Sequence, residues 1–305
     1  MANNSASLLP MRDGVAASTV TLPTGSWSTL LGFLCDNFKG IPPETWRARM
    51  DAGLVTDSKG RPLGAETAFQ AQSVVHYYRA LEQETPIPFE ERILFQDDFI
   101  IAVDKPHFLP VMPAGKYLQE TLLVRLKRKT GIDALTPMHR LDRETAGVML
   151  FVIKPETRGA YQSLFMHKRV QKKYLAIAPY LEQLPFPVTR KSRLQASEHF
   201  MRMQEVAGAP NSETHIELIE HRNGLGRYAL RPVTGKKHQL RVHMAALGMP
   251  ILGDRIYPDY IAEQQESFEN PLQLLASEIA FIDPILGCQR TFQSGKTLCF
   301  PADRN

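Results

Sequence analysis

The stretch His139-Arg-Leu-Asp-Arg-Glu-Thr-Ala-Gly147, running directly into Val148-Met-Leu-Phe-Val-Ile153, is the one on which the fold turns. Five ionisable side chains in nine residues give way to six apolar ones, half of them β-branched. That step predicts a polar loop delivering the chain into a strand buried on both faces. Upstream, Ile93–Phe95 and Phe99–Val103 flank Gln96-Asp-Asp98, the pattern of a hairpin. Thr121–Lys129 predicts a helix with a stop at Gly131. Downstream, Pro155 suits the first turn of a helix reaching about His167, and Tyr174–Ala178 reads as a strand. Glu213–Glu220 and Arg227–Pro232 alternate like paired strands around Asn223-Gly224. Leu240, Met244 and Leu247 have the spacing of a helix that ends at Gly248. Helices and strands mix without regular βαβ alternation, so the fold class is α+β rather than a doubly wound sheet.

The N-terminal third reads differently. Residues 1–26 are rich in Ser, Thr, Ala and Pro without steady periodicity, and predict a flexible tail. Residues 27–88 predict a small domain with one helix carrying Leu30, Leu31, Phe33, Leu34 and Phe38. A second helix starts at Pro42-Pro43, and a turn falls at Asp57-Ser-Lys-Gly60. Thr85-Pro-Ile-Pro88 is an extended linker, and 89–305 is the larger domain.

Composition narrows the classes. The chain has 305 residues, 43% of them hydrophobic, and a net charge of +4 from 36 basic and 32 acidic residues. This is an ordinary globular balance. No apolar run exceeds Val148–Ile153, far short of a membrane span, and Met1–Pro10 does not resemble a secretory signal. Cys35, Cys288 and Cys299 have no metal-type spacing and predict reduced, buried thiols in a cytoplasmic setting. The mild total conceals a division: residues 105–175 hold 14 Lys/Arg against 5 Asp/Glu, while 1–90 hold 7 against 9. A basic stretch of that size attracts polyanions such as RNA, or simply forms a solvated helix face.

Four segments carry the densest chemistry: Val103-Asp-Lys-Pro106; His139 to Gly147; Lys172-Lys-Tyr-Leu-Ala176; and Thr234-Gly-Lys-Lys-His-Gln-Leu-Arg-Val-His243 with Leu247-Gly-Met-Pro-Ile-Leu-Gly-Asp254. Taken singly they have bland readings. A lone aspartate is usually a cap or surface group, a strand tyrosine usually belongs to a core, and an arginine beside an apolar helical stripe is usually solvated. In this order, from about Ile93 to Tyr257, they resemble the motifs of the RluA-type pseudouridine synthases. The 27–88 unit weakly resembles the small ribosomal-protein-like RNA-binding domain that often precedes that catalytic domain.

The resemblance implies a catalytic domain built on a mostly antiparallel sheet. It also implies an isomerisation of uridine to pseudouridine within structured RNA, rRNA or tRNA, with no metal and no organic cofactor. The N1–C1′ bond breaks, the base turns and a C5–C1′ bond forms. By this resemblance Asp142 is the nucleophile, at the sugar carbon or the pyrimidine ring. Arg241 is its cationic partner, suited by its planar fork. Tyr174 is the platform on which uracil stacks. Arg140 is the wedge filling the space left by the flipped base, and His139 lies on the substrate side or orders its own loop. Lys236, Lys237, His238 and Gln239 contact phosphate or orient the site. The chain has Gly235-Lys236 where the family often has Gly-Arg. Val111-Met-Pro113 and Met249 occupy places where histidines are common, departures that bear on substrate choice. The expected protein is a cytoplasmic monomer with an RNA partner, no protein partner and no membrane.

Two rivals come from other classes. A non-enzymatic RNA-binding or RNA-folding protein on the same scaffold would not need Asp142, Tyr174 and Arg241 together. A nucleoside hydrolase would want a second working carboxylate, for which Glu144 is the nearby candidate.

Overall fold

The computed structural model describes residues 10–12, 14–79, 84–199, 201–261 and 267–301. They divide into a first unit of residues 1–85 with 112–131, and a second of 86–111 with 132–305.

The first unit contains β1 (Ser18–Thr21), α1 (Leu30–Asn37), α2 (Pro43–Asp51), β2 (Val55–Asp57) and β3 (Val74–Tyr77). The strands form an antiparallel sheet in the order β1-β3-β2. The Thr29 hydroxyl caps α1 by accepting the Gly32 N–H at 3.1 Å. Pro43 opens α2 where no backbone donor is required. Leu30, Phe33, Leu34, Trp46, Met50, Val55 and Val75 make a common core.

Two expectations are corrected here. Residues 1–9 and 13 of the expected tail lie outside the described residues, but Ser18–Thr21 supplies edge strand β1 and Leu22 is buried. Four residues are too short to show periodicity, and their partner strand lies more than fifty positions away. Residues 112–131 were expected with the larger domain and group instead with the first unit. Their helix α3 (Leu122–Thr130) begins at Thr121 and stops at Gly131, whose φ of 70° is the left-handed value that glycine takes without strain. The Glu84 carboxylate accepts the N–H groups of Leu118, Gln119 and Glu120 at 2.7, 2.8 and 2.7 Å. Val124 packs with Val15 and Leu118. Five of the fourteen cations of the basic stretch therefore belong to this unit.

The second unit starts with the hairpin β4 (Arg92–Gln96) and β5 (Ile100–Lys105), then β6 (Thr136–Pro137) and β7 (Ala146–Val152). After a 3₁₀ turn at Pro155–Thr157 come α4 (Arg158–Met166), β8 (Gln171–Pro179), β9 (Val188–Ala196), β10 (Met203–Val206), β11 (Ser212–Arg222), β12 (Leu225–Pro232), α5 (Gln239–Ala246), β13 (Leu274–Ile282) and β14 (Gln289–Gln293). One sheet runs β10-β9-β11-β12-β8-β13-β7-β5-β4, with β14 on β13 and β6 on β7. Every pairing is antiparallel except β13 with β7. This is the mostly antiparallel α+β arrangement expected. The turn between β11 and β12 is the anticipated one: Asn223 and Gly224 take φ of 50° and 75°, as a two-residue hairpin needs.

All seven residues of β7 are buried, which accounts for the unbroken apolar run. Gly147, the last residue of the charged stretch, has φ of 110°, and a Cβ there would lie 2.2 Å from the Ala276 carbonyl oxygen. The missing side chain is what lets β13 pair with β7. On one side Ile100, Val148, Leu150 and Val152 pack with Tyr161 and Leu164 of α4. Elsewhere Ala176, Tyr228 and Leu230 pack with Leu240 and Met244 of α5. Met249, standing where the family often has histidine, is buried in that second core. The three cysteines are free thiols, but Cys288 and Cys299 are exposed rather than buried.

Candidate active site

The loop from β6 to β7 carries His139, Arg140 and Asp142; Tyr174 stands on β8; Arg241 lies in the first turns of α5. Because β13 inserts between β7 and β8, these three elements converge on one cavity of about 500 Å³. Its lining includes all nine residues named from the resemblance: His139, Arg140, Asp142, Tyr174, Lys236, Lys237, His238, Gln239 and Arg241. Their chemistry divides them into groups that face the cavity and groups that build its wall.

Asp142 is the carboxylate at the centre, its side chain 14% exposed. Arg241 Nη1 lies 3.4 Å from Asp142 Oδ2, and His238 Nε2 lies 3.8 Å from the same oxygen. Burial by itself would raise the carboxyl, but the charges of His238, Arg241 and Arg140 outweigh it and hold the group below the usual carboxylate range. Asp142 is therefore an anion at neutral pH.

Arg241 pairs with Asp142, as the resemblance implies, but Asp142 is not its main partner. Its Nε and Nη2 donate to Asp254 Oδ2 and Oδ1, both at 2.7 Å, with both side chains essentially inaccessible. Asp254 also accepts the N–H groups of Ile256 and Tyr257 at 2.8 and 3.1 Å. Gly253, at φ of 79°, lets the Asp254 loop lie against the backbone of Pro271, where a Cβ would meet a carbonyl oxygen at 2.6 Å. Asp254 closes the fourth motif, and the sequence reading assigned it no role. The signal available was its place one residue after a glycine, too weak to name a partner thirteen positions away. Arg241 Nη1 also reaches Glu144 at 3.8 Å, and Glu144 is held by Arg143 at 3.0 Å. Glu144 is thus committed to cations, which leaves the hydrolase rival without its second carboxylate.

His238 has a backbone φ of 54°, unusual for a residue with a Cβ. The Tyr257 hydroxyl accepts the Met203 N–H at 2.7 Å and shares a hydrogen bond of 3.0 Å with His238 Nδ1. That contact holds the ring with Nε2 on the side of Asp142. Burial lowers the imidazole's pKa, partly opposed by the charge of Asp142. Of the two roles open to His238, contacting phosphate or orienting the site, its place 3.8 Å from the carboxylate fits the second.

For Gln239 and His139 too the geometry selects between the two roles left open. The Gln239 amide oxygen accepts from Thr234 Oγ1 and the Lys236 N–H at 2.6 and 3.1 Å, and its nitrogen donates to Glu213 O and Thr214 Oγ1, both at 2.9 Å. With every site used and the residue 4% exposed, it shapes the 234–239 loop. The His139 ring stacks on Phe165 with centroids 4.8 Å apart, and its Nε2 accepts the Leu150 N–H at 3.3 Å. Burial lowers its pKa to about 4, so the neutral ring serves as a strut for the loop. Arg140 and Lys236 are exposed at the mouth, and Tyr174 is half-buried. Burial, and then the negative charge of Asp142, raise the Tyr174 phenol. It is a flat, protonated ring, suited to stacking and to donating a hydrogen bond.

A buried lysine supports the floor. Lys105, inaccessible to solvent, donates to the carbonyls of Pro106, Leu109 and Arg143 at 3.0, 2.8 and 3.0 Å. Three donors meet three acceptors, and the last of these fixes the Asp142 loop. Among the described residues no group of three His, Cys, Asp or Glu is placed to hold a metal ion.

Residues 99–246 match the family described as RNA pseudouridylate synthase. The dual-specificity RNA pseudouridine synthase RluA of Haemophilus influenzae is 30% identical over 230 residues, covering 70% of this chain and 97% of that protein. The tRNA pseudouridine synthase C of Vibrio cholerae is 30% identical over 209 residues, covering 63% and 85%. Among solved structures, human RNA pseudouridylate synthase domain containing 4 superposes with a TM-score of 0.52 at 27% identity, covering 66% of this chain and 87% of that one.

Proposed function

Since the chain belongs to the RluA-type RNA pseudouridine synthase family, we propose that its cavity holds a uridine flipped from structured RNA, with Asp142 as the nucleophile. The protein is an isomerase acting on RNA. In that reaction the N1–C1′ bond is exchanged for C5–C1′, C5 gives up a proton and N1 gains one, so nothing is consumed.

One observation carries the assignment of Asp142: it is an anionic carboxylate in a cavity with a stacking ring, touched by a guanidinium at 3.4 Å that stops short of neutralising it. A nucleophile must keep a lone pair available. Arg241 is drawn off by Asp254 and leaves Asp142 a single long contact. His238, oriented by Tyr257, completes the field around it. Tyr174 is the platform for uracil, and Arg140, at the mouth, fits the vacancy left in the RNA stack. Lys236 and Lys237 are the phosphate-side cations.

The target is a specific uridine in rRNA or tRNA, and the place of action is the cytoplasm. No described helix is long and apolar enough to cross a membrane. An RNA-binding role for the first unit is supported by Lys127, Arg128 and Lys129, which form the last turn of α3.

Pseudouridine mapping of total RNA from cells with and without the gene tests this reading. A discrete set of sites should vanish on deletion, return with the wild-type gene and stay absent with Asp142→Ala. Turnover by that variant removes Asp142 as nucleophile. An unchanged map favours the RNA-binding protein on the same scaffold.

A further inference from the structure

Cations on the cavity wall differ in how they are balanced. Arg241 has carboxylates around it. Lys172, on the same wall, has none. It stands on β8 two residues before Tyr174, so both side chains leave the same face of the strand, about 7 Å apart. Its ammonium is partly buried and makes one hydrogen bond, 3.2 Å to the carbonyl oxygen of Thr234. Among the described residues no carboxylate forms an ion pair with it, and the charge that acts on it most is another cation, Lys168. Two of its three donors are thus unused.

An ammonium so placed is costly. Burial, with Lys168 adding to it, lowers its pKa to about 8. The chain nevertheless puts it beside the stacking ring. Access is also provided for. The residue facing Lys172 is the exposed Gly235, where even a Cβ would be 4.0 Å from the lysine nitrogen. The cavity thus has an open position next to an uncompensated cation, one residue pair along the strand from the uracil platform.

We propose that Lys172 is the counter-ion of an RNA phosphate adjoining the nucleotide that stacks on Tyr174. The nucleotide brings the anion that the protein withholds, and the pair forms only when the cavity is filled. Lys172 is a substrate-positioning residue and does not touch the bonds that change. The inference rests on the isomerase reading for the identity of the RNA, and on the cavity alone for the phosphate.

The titratable and charged side chains that line the cavity with Lys172 are His139, Arg140 and Asp142 on the loop before β7, Lys168 after α4, Tyr174 on β8, Lys236, Lys237 and His238 on the loop before α5, and Arg241 on α5; of these the charge that acts on Lys172 is Lys168. A test must therefore read Lys172 by itself. The probe is uridine 3′,5′-bisphosphate, with uridine as control, added to the full-length protein carrying ¹³C-labelled lysine. The Lys172 signal, assigned with Lys172→Gln, should titrate near 8 in the free protein. With the bisphosphate its midpoint should rise by about one pH unit or more, and with uridine it should not move. Lys172→Gln keeps a donor for the Thr234 carbonyl but lacks the charge. It should bind the bisphosphate about ten-fold or more weakly at an unchanged melting temperature, and Lys172→Arg should restore binding. Gly235→Val, which keeps the lysine and fills the open position, should weaken binding as well. An unmoved Lys172 midpoint, no saturable bisphosphate binding, or equal binding by Lys172→Gln overturns the proposal. A loss of melting temperature in Lys172→Gln that Lys172→Arg does not rescue assigns the lysine to structure and also overturns it. A positive result alongside an unchanged pseudouridine map would leave the phosphate site standing and remove the isomerase reading.

Discussion

Asp254→Ala is the perturbation that bears most directly on how this site is built. The change removes the acceptor of two charge-assisted bonds from Arg241, each 2.7 Å, and of two backbone N–H groups. Arg241 is 1% exposed and the Asp254 side chain 0%, so solvent screening does not reduce the effect. Breaking a buried pair by removing one member costs about 3–5 kcal/mol, because the remaining charge stays buried. For a unit of roughly 200 residues that is a fall in melting temperature of about 6–20 °C. Two assays check it: denaturant unfolding of Asp254→Ala, and a double-mutant cycle with Arg241→Met, in which the pair should couple by about 2 kcal/mol or more. Function should fall too. Freed from Asp254, the guanidinium swings onto Asp142 and closes the long 3.4 Å contact into a tight pair, which blunts the nucleophile. A loss below about 1 kcal/mol, or a coupling near zero, would refute the view that Asp254 sets the position of Arg241.

Three further outcomes follow from the same geometry. Asp142 ionises below the ordinary carboxylate range in the folded protein, so its contribution to stability is complete above its unfolded value and is lost as pH falls through the depressed one. Activity should therefore be flat from neutrality down to about pH 5. An acid limb with its midpoint near 6 would mean that another group is titrating. The raised Tyr174 phenol should stay protonated through pH 9; Tyr174→Phe should keep most RNA affinity, and Tyr174→Ala should lose about 1–3 kcal/mol in KM or Kd. Equal losses in the two would make the hydroxyl, not the ring, the working part. Gly147→Ala puts a methyl 2.2 Å from the Ala276 oxygen at a φ of 110°. It should cost about 3 kcal/mol or more by thermal melting; a wild-type melting temperature would show that β13 does not approach β7 so closely.

Much of the site was legible before any coordinates. Asp142, Tyr174 and Arg241 were named from four short segments in order, and the structure brings them to one cavity. The elements holding them were legible for local reasons. The β7 run is apolar throughout because it is buried on both faces. The hairpin turn needs Asn223-Gly224 for its backbone angles, and α3 ends at a glycine that can take left-handed angles. Residue roles were less legible than residue identities. From the sequence, His139 has two roles open to it, facing the substrate or ordering its own loop, and His238 and Gln239 likewise either contact phosphate or orient the site. In the structure one is stacked on Phe165, one is aimed at Asp142 and one is spent on its own loop.

The sequence by itself determined the strand and helix periods, the turns, the α+β class and the chemical types in the cavity, since each is encoded by contacts within a few residues. Tertiary structure alone decided that β13 enters between β7 and β8, that residues 112–131 belong to the first unit, and that Arg241 spends its fork on Asp254 and only its third nitrogen on Asp142. The physical reason is separation along the chain. Asp142 and Arg241 lie 99 positions apart, and which carboxylate a buried guanidinium meets depends on the register of strands and the seating of a helix. No period or motif within either segment records those quantities.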